Sequence, residues 1–243
     1  MFSDCGDIKG PVLASRRDRV TYLDLPVSLD RAAVAKRLTL RCCTRDVEQI
    51  ADELVSVVES VARPKAIYRE CMVRKVADST IRIGDISFSS VVLGKLLEDG
   101  QTVFPYILTI GPELSEASLP GDDMLKHYWL DTVKSMVVQV AGSSFSELLQ
   151  DANRGQRLTH MNPGELDDWP VTQQRSLFSL FGEAATDIGV SLTDGCMMSP
   201  AKSRSGIFFG NDTGFETCRL CTQKRCVGRR AAYDASAVAM YTV

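Results

Sequence analysis

Apolar and polar positions along this chain follow two periods. From Val47 onward, Ile50, Leu54, Val57, Val58 and Val61 recur three and four residues apart, which is one face of a helix. Asp46 stands where an N-cap belongs, and Arg63-Pro64 stops the run. Ala66 to Val73 and Thr80 to Phe88 read as strands, the second folding back at Gly84-Asp85. Ser89 to Glu98 reads as a short helix ended by Gly100. Val103 to Ile110 is almost continuously apolar, which predicts a central strand covered on both faces. Asp122 to Leu149 carries the longest helical pattern, with Gly142 to Ser144 as a candidate bend.

The remaining segments are shorter. Residues 1–20 are polar and read as a flexible tail, and Val20 to Leu25 reads as a first strand. His160 to Pro170 holds many breakers and reads as a structured loop. Thr172 to Asp187 reads as one amphipathic helix. Val190 to Leu192 and Gly206 to Phe209 read as strands on either side of a polar loop. Helices and strands mix without a regular βαβ alternation, so the predicted class is α+β. Residues 21–210 form the expected α+β domain, and residues 211–243 a Cys-rich C-terminal segment.

Composition narrows the function. A chain of 243 residues, 44% hydrophobic, can bury a core in one large domain or two small ones. The net charge of −3, without a long basic stripe, argues against a nucleic-acid partner. No apolar run reaches the roughly 20 residues that span a bilayer, and the first residues lack an apolar signal core. The expected location is cytoplasmic, with no membrane partner. There, eight cysteines point to metal, redox or plain burial rather than disulfides.

Three stretches carry candidate chemistry. Cys218-x2-Cys221-x4-Cys226 has metal-ligand spacing, and Cys196 in a nearby polar loop is the candidate fourth ligand. Zinc and an iron–sulfur cluster both suit this set, as do reduced, unliganded thiols. The loop from Asp194 to Gly206 offers hydroxyls, Lys202 and glycines for close approach to a ligand. It equally suits a connection whose hydroxyls cap their own backbone. In the His160 to Pro170 stretch, Glu165, Asp167 and Asp168 lie near Trp169 and could hold a cation. The alternative is a solvated acidic turn with Trp169 in the core.

Four patterns carry a resemblance: N-P-G-x-L-x-D-W-P from Asn162, Q-x-x-L-F-x-L from Gln174, I-G-V-x-L-T from Ile188, and M-x-P-x-K-S-x-S-G from Met198. Together they resemble the reactivation domain of cobalamin (vitamin B12)-dependent methionine synthase, and most closely its stand-alone homologues. Thr109-Ile110-Gly111-Pro112 and Leu130-Asp131 extend the likeness upstream, and Cys218 to Tyr233 resembles the tail of some stand-alone members. The resemblance implies a twisted antiparallel sheet with flanking helices. It implies S-adenosylmethionine in a shallow groove, used to remethylate a cobalamin presented by a corrinoid protein or truncated methionine synthase. It also implies an electron donor of ferredoxin or flavodoxin type. The family's Pro-Gly loop supplies an arginine and a tyrosine to the ligand, and here those positions fall on His160 and Glu165. Pro163, Gly164, the Lys202 backbone, Ser203, Ser205 and Gly206 complete the implied lining. The resemblance favours an iron–sulfur relay over zinc at the cysteines. The competing expectation is a metal-stabilised adaptor that docks on a corrinoid methyltransferase without chemistry.

Overall fold

The apolar run at 103–110 is the middle of the sheet, as its composition predicts. The computed structural model describes residues 19–39, 46–119, 121, 123–226 and 228–242. The predicted tail therefore lies outside the described residues except for Arg19 and Val20. In chain order the elements are β1 (Thr21–Asp24), α1 (Arg31–Thr39), α2 (Val47–Val61), β2 (Lys65–Tyr68), β3 (Cys71–Ala77), β4 (Thr80–Ile83) and β5 (Ile86–Ser89). They continue as α3 (Val91–Leu96), β6 (Thr102–Thr109), α4 (Pro112–Glu116), α5 (Met124–Ala152), β7 (Leu158–Met161), α6 (Gln174–Ser179) and α7 (Ala184–Asp187). A small hairpin of β8 (Ser191–Leu192) and β9 (Met198–Ser199) precedes β10 (Ser203–Gly210) and α8 (Ala235–Thr242).

Among the described residues, eight strands make one antiparallel sheet flanked by helices, an α+β architecture. β6 pairs with β2 and β3 along one edge and with β10 along the other, and β10 carries β7. β2 and β3 hold one register on β6, Tyr68 opposite Tyr106 and Cys71 opposite Val103. The single strand expected at 66–73 is therefore interrupted rather than bent away. The break lies where Arg69 N donates to Pro105 O at 3.1 Å, because Pro105 has no N–H to return the bond.

β6 is buried on both faces. Ile67, Val103, Ile107, Ile207 and Phe209 pack with Leu93, Trp169, Leu177 and Phe181 on one side. Phe104, Tyr106, Leu108 and Phe208 meet Ala141, Phe145 and Leu149 of α5 on the other. The first half of α5 packs Trp129, Val133 and Val137 against Leu54, Val55 and Val58 of α2 and Val34 and Leu38 of α1.

Several expectations change in detail. Asp46 sits at the N-cap of α2 but makes no side-chain cap bond. α5 runs unbroken through Gly142. The helix expected at 172–187 is split into a 3-10 turn at Val171–Gln173, α6 and α7, with Gly182 at φ +56° between them. The loop expected from His160 begins inside a strand, β7. The C-terminal segment shares the main core through Phe215, Leu220 and Ala237, and Tyr241 meets Phe215 edge-on at 5.2 Å.

Candidate functional site

Successive residues of a strand point to opposite faces of a sheet. On β10 this sends Arg204, Gly206 and Phe208 toward α5, and Ser203, Ser205, Ile207 and Phe209 toward the other layer. The register sets Tyr106 beside Gly206 and His160 beside Phe208, so both join the α5 face. Between that face and α5 lies a cavity of about 490 Å³. Tyr106, His160, Arg204 and Phe208 line it from the sheet, Gln139 and Ser143 from α5, and Gly228, Arg229 and Arg230 from the Cys-rich segment.

A chain of polar contacts runs along its wall. Tyr106 OH donates to Asn162 Oδ1 at 2.8 Å, and Asn162 Nδ2 donates to Glu165 Oε1 at 2.8 Å. Arg230 Nη1 lies 2.8 Å from His160 Nε2. A guanidinium can only donate, so Nε2 carries the lone pair and the imidazole is neutral. Burial, with Arg230 and Arg204 nearby, pushes His160 down to about 3. Glu165 is exposed as a residue, yet its carboxyl end turns inward, and burial raises its pKa against the pull of Arg230 and Asn162. Burial raises Tyr106 as well. Arg230 Nε stands 3.0 Å from Glu216 Oε2, close enough for an ion pair but off the line of a directed hydrogen bond. Arg204 has no ion pair among the described residues.

The residues expected to line one groove are divided by the sheet. His160 is on the cavity, and Glu165 is electrostatically coupled to two of its arginines, Arg230 and Arg204. Ser203 and Ser205 face the other layer, where Ser203 Oγ donates to Thr109 Oγ1 at 3.0 Å and Ser205 Oγ is buried without a partner. Lys202 reaches Asp131 and Ser135 on α5, both at 2.9 Å, and its carbonyl accepts from Ile110 N. Gly206 is needed for packing: an added Cβ would meet Asn162 Oδ1 at 2.0 Å. Pro163 is buried, and Gly164 turns the chain at φ +87° and donates to Trp169 O at 2.7 Å. The acidic turn is no cation cage. Asp168 accepts from Val91 N, Val92 N and Ser90 Oγ at the start of α3, and Trp169 is fully buried against Phe88.

The cysteines do not assemble either. Among the described residues no three His, Cys, Asp or Glu side chains gather as a metal shell requires. Cys196 is buried with its Sγ toward Thr172 O, Cys218 Sγ accepts from Arg230 N at 3.4 Å, and Cys226 is exposed. The Cys218–Cys226 loop is tied instead by Arg229. Its guanidinium donates to the carbonyls of Cys218 at 2.9 Å, Cys221 and Ala231 at 3.2 Å, and Gln223.

No protein family matches the chain in sequence, and no curated protein does. Among solved structures, the chain is similar to a crystal structure of the MetH reactivation domain bound to AdoHcy. The TM-score is 0.61 at 13% identity, over 82% of this chain and 80% of that one. The chain has the fold of the MetH reactivation domain.

Within that fold, the cavity suits a nucleoside-sized ligand. Its volume falls within the roughly 300–1,000 Å³ of small-molecule sites, and it joins an aromatic floor to a mostly polar and charged lining. The cysteines, as placed, do not fit a cluster or zinc. The sequence reading missed Arg204, Arg230, Tyr106 and Asn162. The available signal was the strand period itself, which puts Arg204 on the face opposite Ser203 and Ser205.

Proposed function

We propose that this protein takes part in reductive reactivation of a cobalamin-dependent methionine synthase or related corrinoid protein, binding S-adenosylmethionine in the cavity under α5. The observation that carries the reading is the fold, shared over 82% of the chain with a reactivation domain that was crystallised with AdoHcy. The position of His160 supports it, because the residue the resemblance assigns to the ligand does line this cavity.

S-adenosylmethionine bound here would supply a methyl group and leave as AdoHcy; the acceptor is a cobalamin presented by the partner. The chain's own residues do the holding. Tyr106 and Phe208, both nearly fully buried, form the aromatic floor with ring centres 4.8 Å apart, and the neutral His160 lies tilted against Phe208 at 5.0 Å. The reading needs no metal at Cys218, Cys221 and Cys226, and the electron is left to a ferredoxin- or flavodoxin-type donor.

Isothermal titration of the full chain with S-adenosylmethionine and with AdoHcy tests this. Saturable binding of both, weakened by Phe208→Ala, is the expected result. No heat with either ligand at millimolar concentration would remove the methyl-donor role.

A further inference from the structure

The function proposed above leaves the Cys-rich segment without a task, and the cavity gives it one. Three consecutive residues just after Cys226-x1, Gly228, Arg229 and Arg230, line the cavity. Arg229 faces the loop and satisfies three of its carbonyls and that of Ala231, which fixes where the next residue starts. Arg230 then turns to the sheet, held through Nε by Glu216 and through Nη1 by His160. Those contacts leave its other terminal nitrogen uncommitted. Across the same space stands Arg204, seated in the gap beside Gly142, where a Cβ would come within 3.2 Å of its Nη1. Arg204 has no ion pair among the described residues.

We infer that the Cys-rich segment is a ligand clamp, in which Arg229 pins the loop so that Arg230, with Arg204, holds an anionic group of the ligand in the cavity under α5. Two guanidiniums on one cavity, Arg204 part-buried and Arg230 more exposed, repel each other unless an anion lies between them, and planar forked donors match a carboxylate or a phosphate. Glu147 is the carboxylate on the lining; Glu216 is engaged by Arg230 from outside it, and Glu165, which feels both arginines, is hydrogen-bonded to Asn162 rather than paired with either. The neutral imidazole of His160 orients Arg230 and adds no competing charge. This inference rests on the proposed site for its location, but it assigns the anion contacts to the tail and to β10 rather than to the Pro-Gly loop. Binding of the anion would also order the tail, since the clamp and the cysteine loop are one stretch of chain.

Four titrations of the full chain test it: AdoHcy, which has a carboxylate; 5′-methylthioadenosine, which has none; inorganic phosphate; and acetate. Each is run on the native protein, Arg204→Met and Arg230→Met, with hydrogen exchange of residues 216–230 recorded with and without AdoHcy. The expected result is a loss of ten-fold or more in AdoHcy affinity in each variant. Methylthioadenosine binding should be unchanged, and AdoHcy should slow exchange in the tail. Competition by phosphate but not acetate would assign the site to phosphate groups, and the reverse to carboxylates; either supports the clamp. AdoHcy binding that neither variant weakens would overturn the clamp while leaving the proposed function standing. If neither nucleoside binds, the proposed function fails. Arginine-dependent binding of phosphate or acetate would then still support the clamp, and no anion binding at all would overturn it.

Discussion

Nη1 of Arg230 lies 2.8 Å from Nε2 of His160, across 70 residues of sequence. That contact joins the C-terminal segment to the central sheet, and together with burial it keeps the histidine neutral. A protonated ring would place an N–H against a guanidinium, so protonation must break the contact.

The pH dependence of stability follows. His160 is held at about 3 in the folded chain, against roughly 6.5 in an unfolded one. Between those values the unfolded state binds more protons, so stability falls as pH drops from about 6.5 toward 3. Glu165 works in the opposite sense, since its raised pKa favours the folded state at low pH and loses that advantage as pH rises. Comparison with His160→Gln, which keeps an acceptor for Arg230 but does not titrate, isolates the histidine. Urea midpoints measured from pH 7 to pH 4 should fall more steeply for the native protein than for the variant. Parallel curves would show that His160 is not held neutral.

Gly206→Ala should be among the most damaging single methyl additions in this chain. The new Cβ would sit 2.0 Å from Asn162 Oδ1 and 2.5 Å from the carbonyl oxygen of Met161. The Asn162 side chain could move, but then Tyr106 OH loses its acceptor inside the core, and the carbonyl belongs to the paired strand. Overpacking plus an unmade buried hydrogen bond should cost about 3 kcal/mol. Denaturant unfolding reads this directly, and a change below about 1 kcal/mol would contradict the geometry.

Asp168→Ala removes a cap supplied from a distance. Its carboxylate accepts from Val91 N at 2.9 Å and Val92 N at 3.2 Å, and it bonds Ser90 Oγ, which itself accepts from Leu93 N. The first turn of α3 thus loses two of its partners at once. The expected loss is about 1–2 kcal/mol, with Asp168→Asn losing less. Equal losses in the two variants would mean that charge, not hydrogen bonding, holds the turn.

These three sites show what the sequence made legible. α2 and β6 could be read directly, because a 3.6-residue period and an unbroken apolar run each have one structural outcome. β7 was hidden because its four residues run straight into Asn162-Pro163-Gly164, and the breakers dominate the local pattern. His160 and Gly206 could be found by motif. The reason for Gly206, a close approach by Asn162, depends on a pairing that no local signal carries. Arg229 and Arg230 are neighbours in the sequence, just after the three thiols. Only the folded chain separates them, one turned to the loop carbonyls and the other to the cavity.

The last prediction concerns what holds the Cys218–Cys226 loop. A metal-held loop loosens when a chelator removes the ion. A loop tied by Arg229 does not, because the four carbonyls it satisfies are protein groups bound to a protein cation. Arg229→Met keeps an unbranched apolar stem and deletes every one of those bonds. Hydrogen exchange across 216–230 should therefore rise in Arg229→Met and stay unchanged when the native protein is purified and dialysed with EDTA. The pairing of Arg219 with Asp234 at 2.5 Å and the packing of Leu220 should keep the rest of the segment on the core in both cases. The opposite pattern, EDTA-sensitive exchange with stoichiometric zinc or iron in the untreated protein, would return the loop to its thiols.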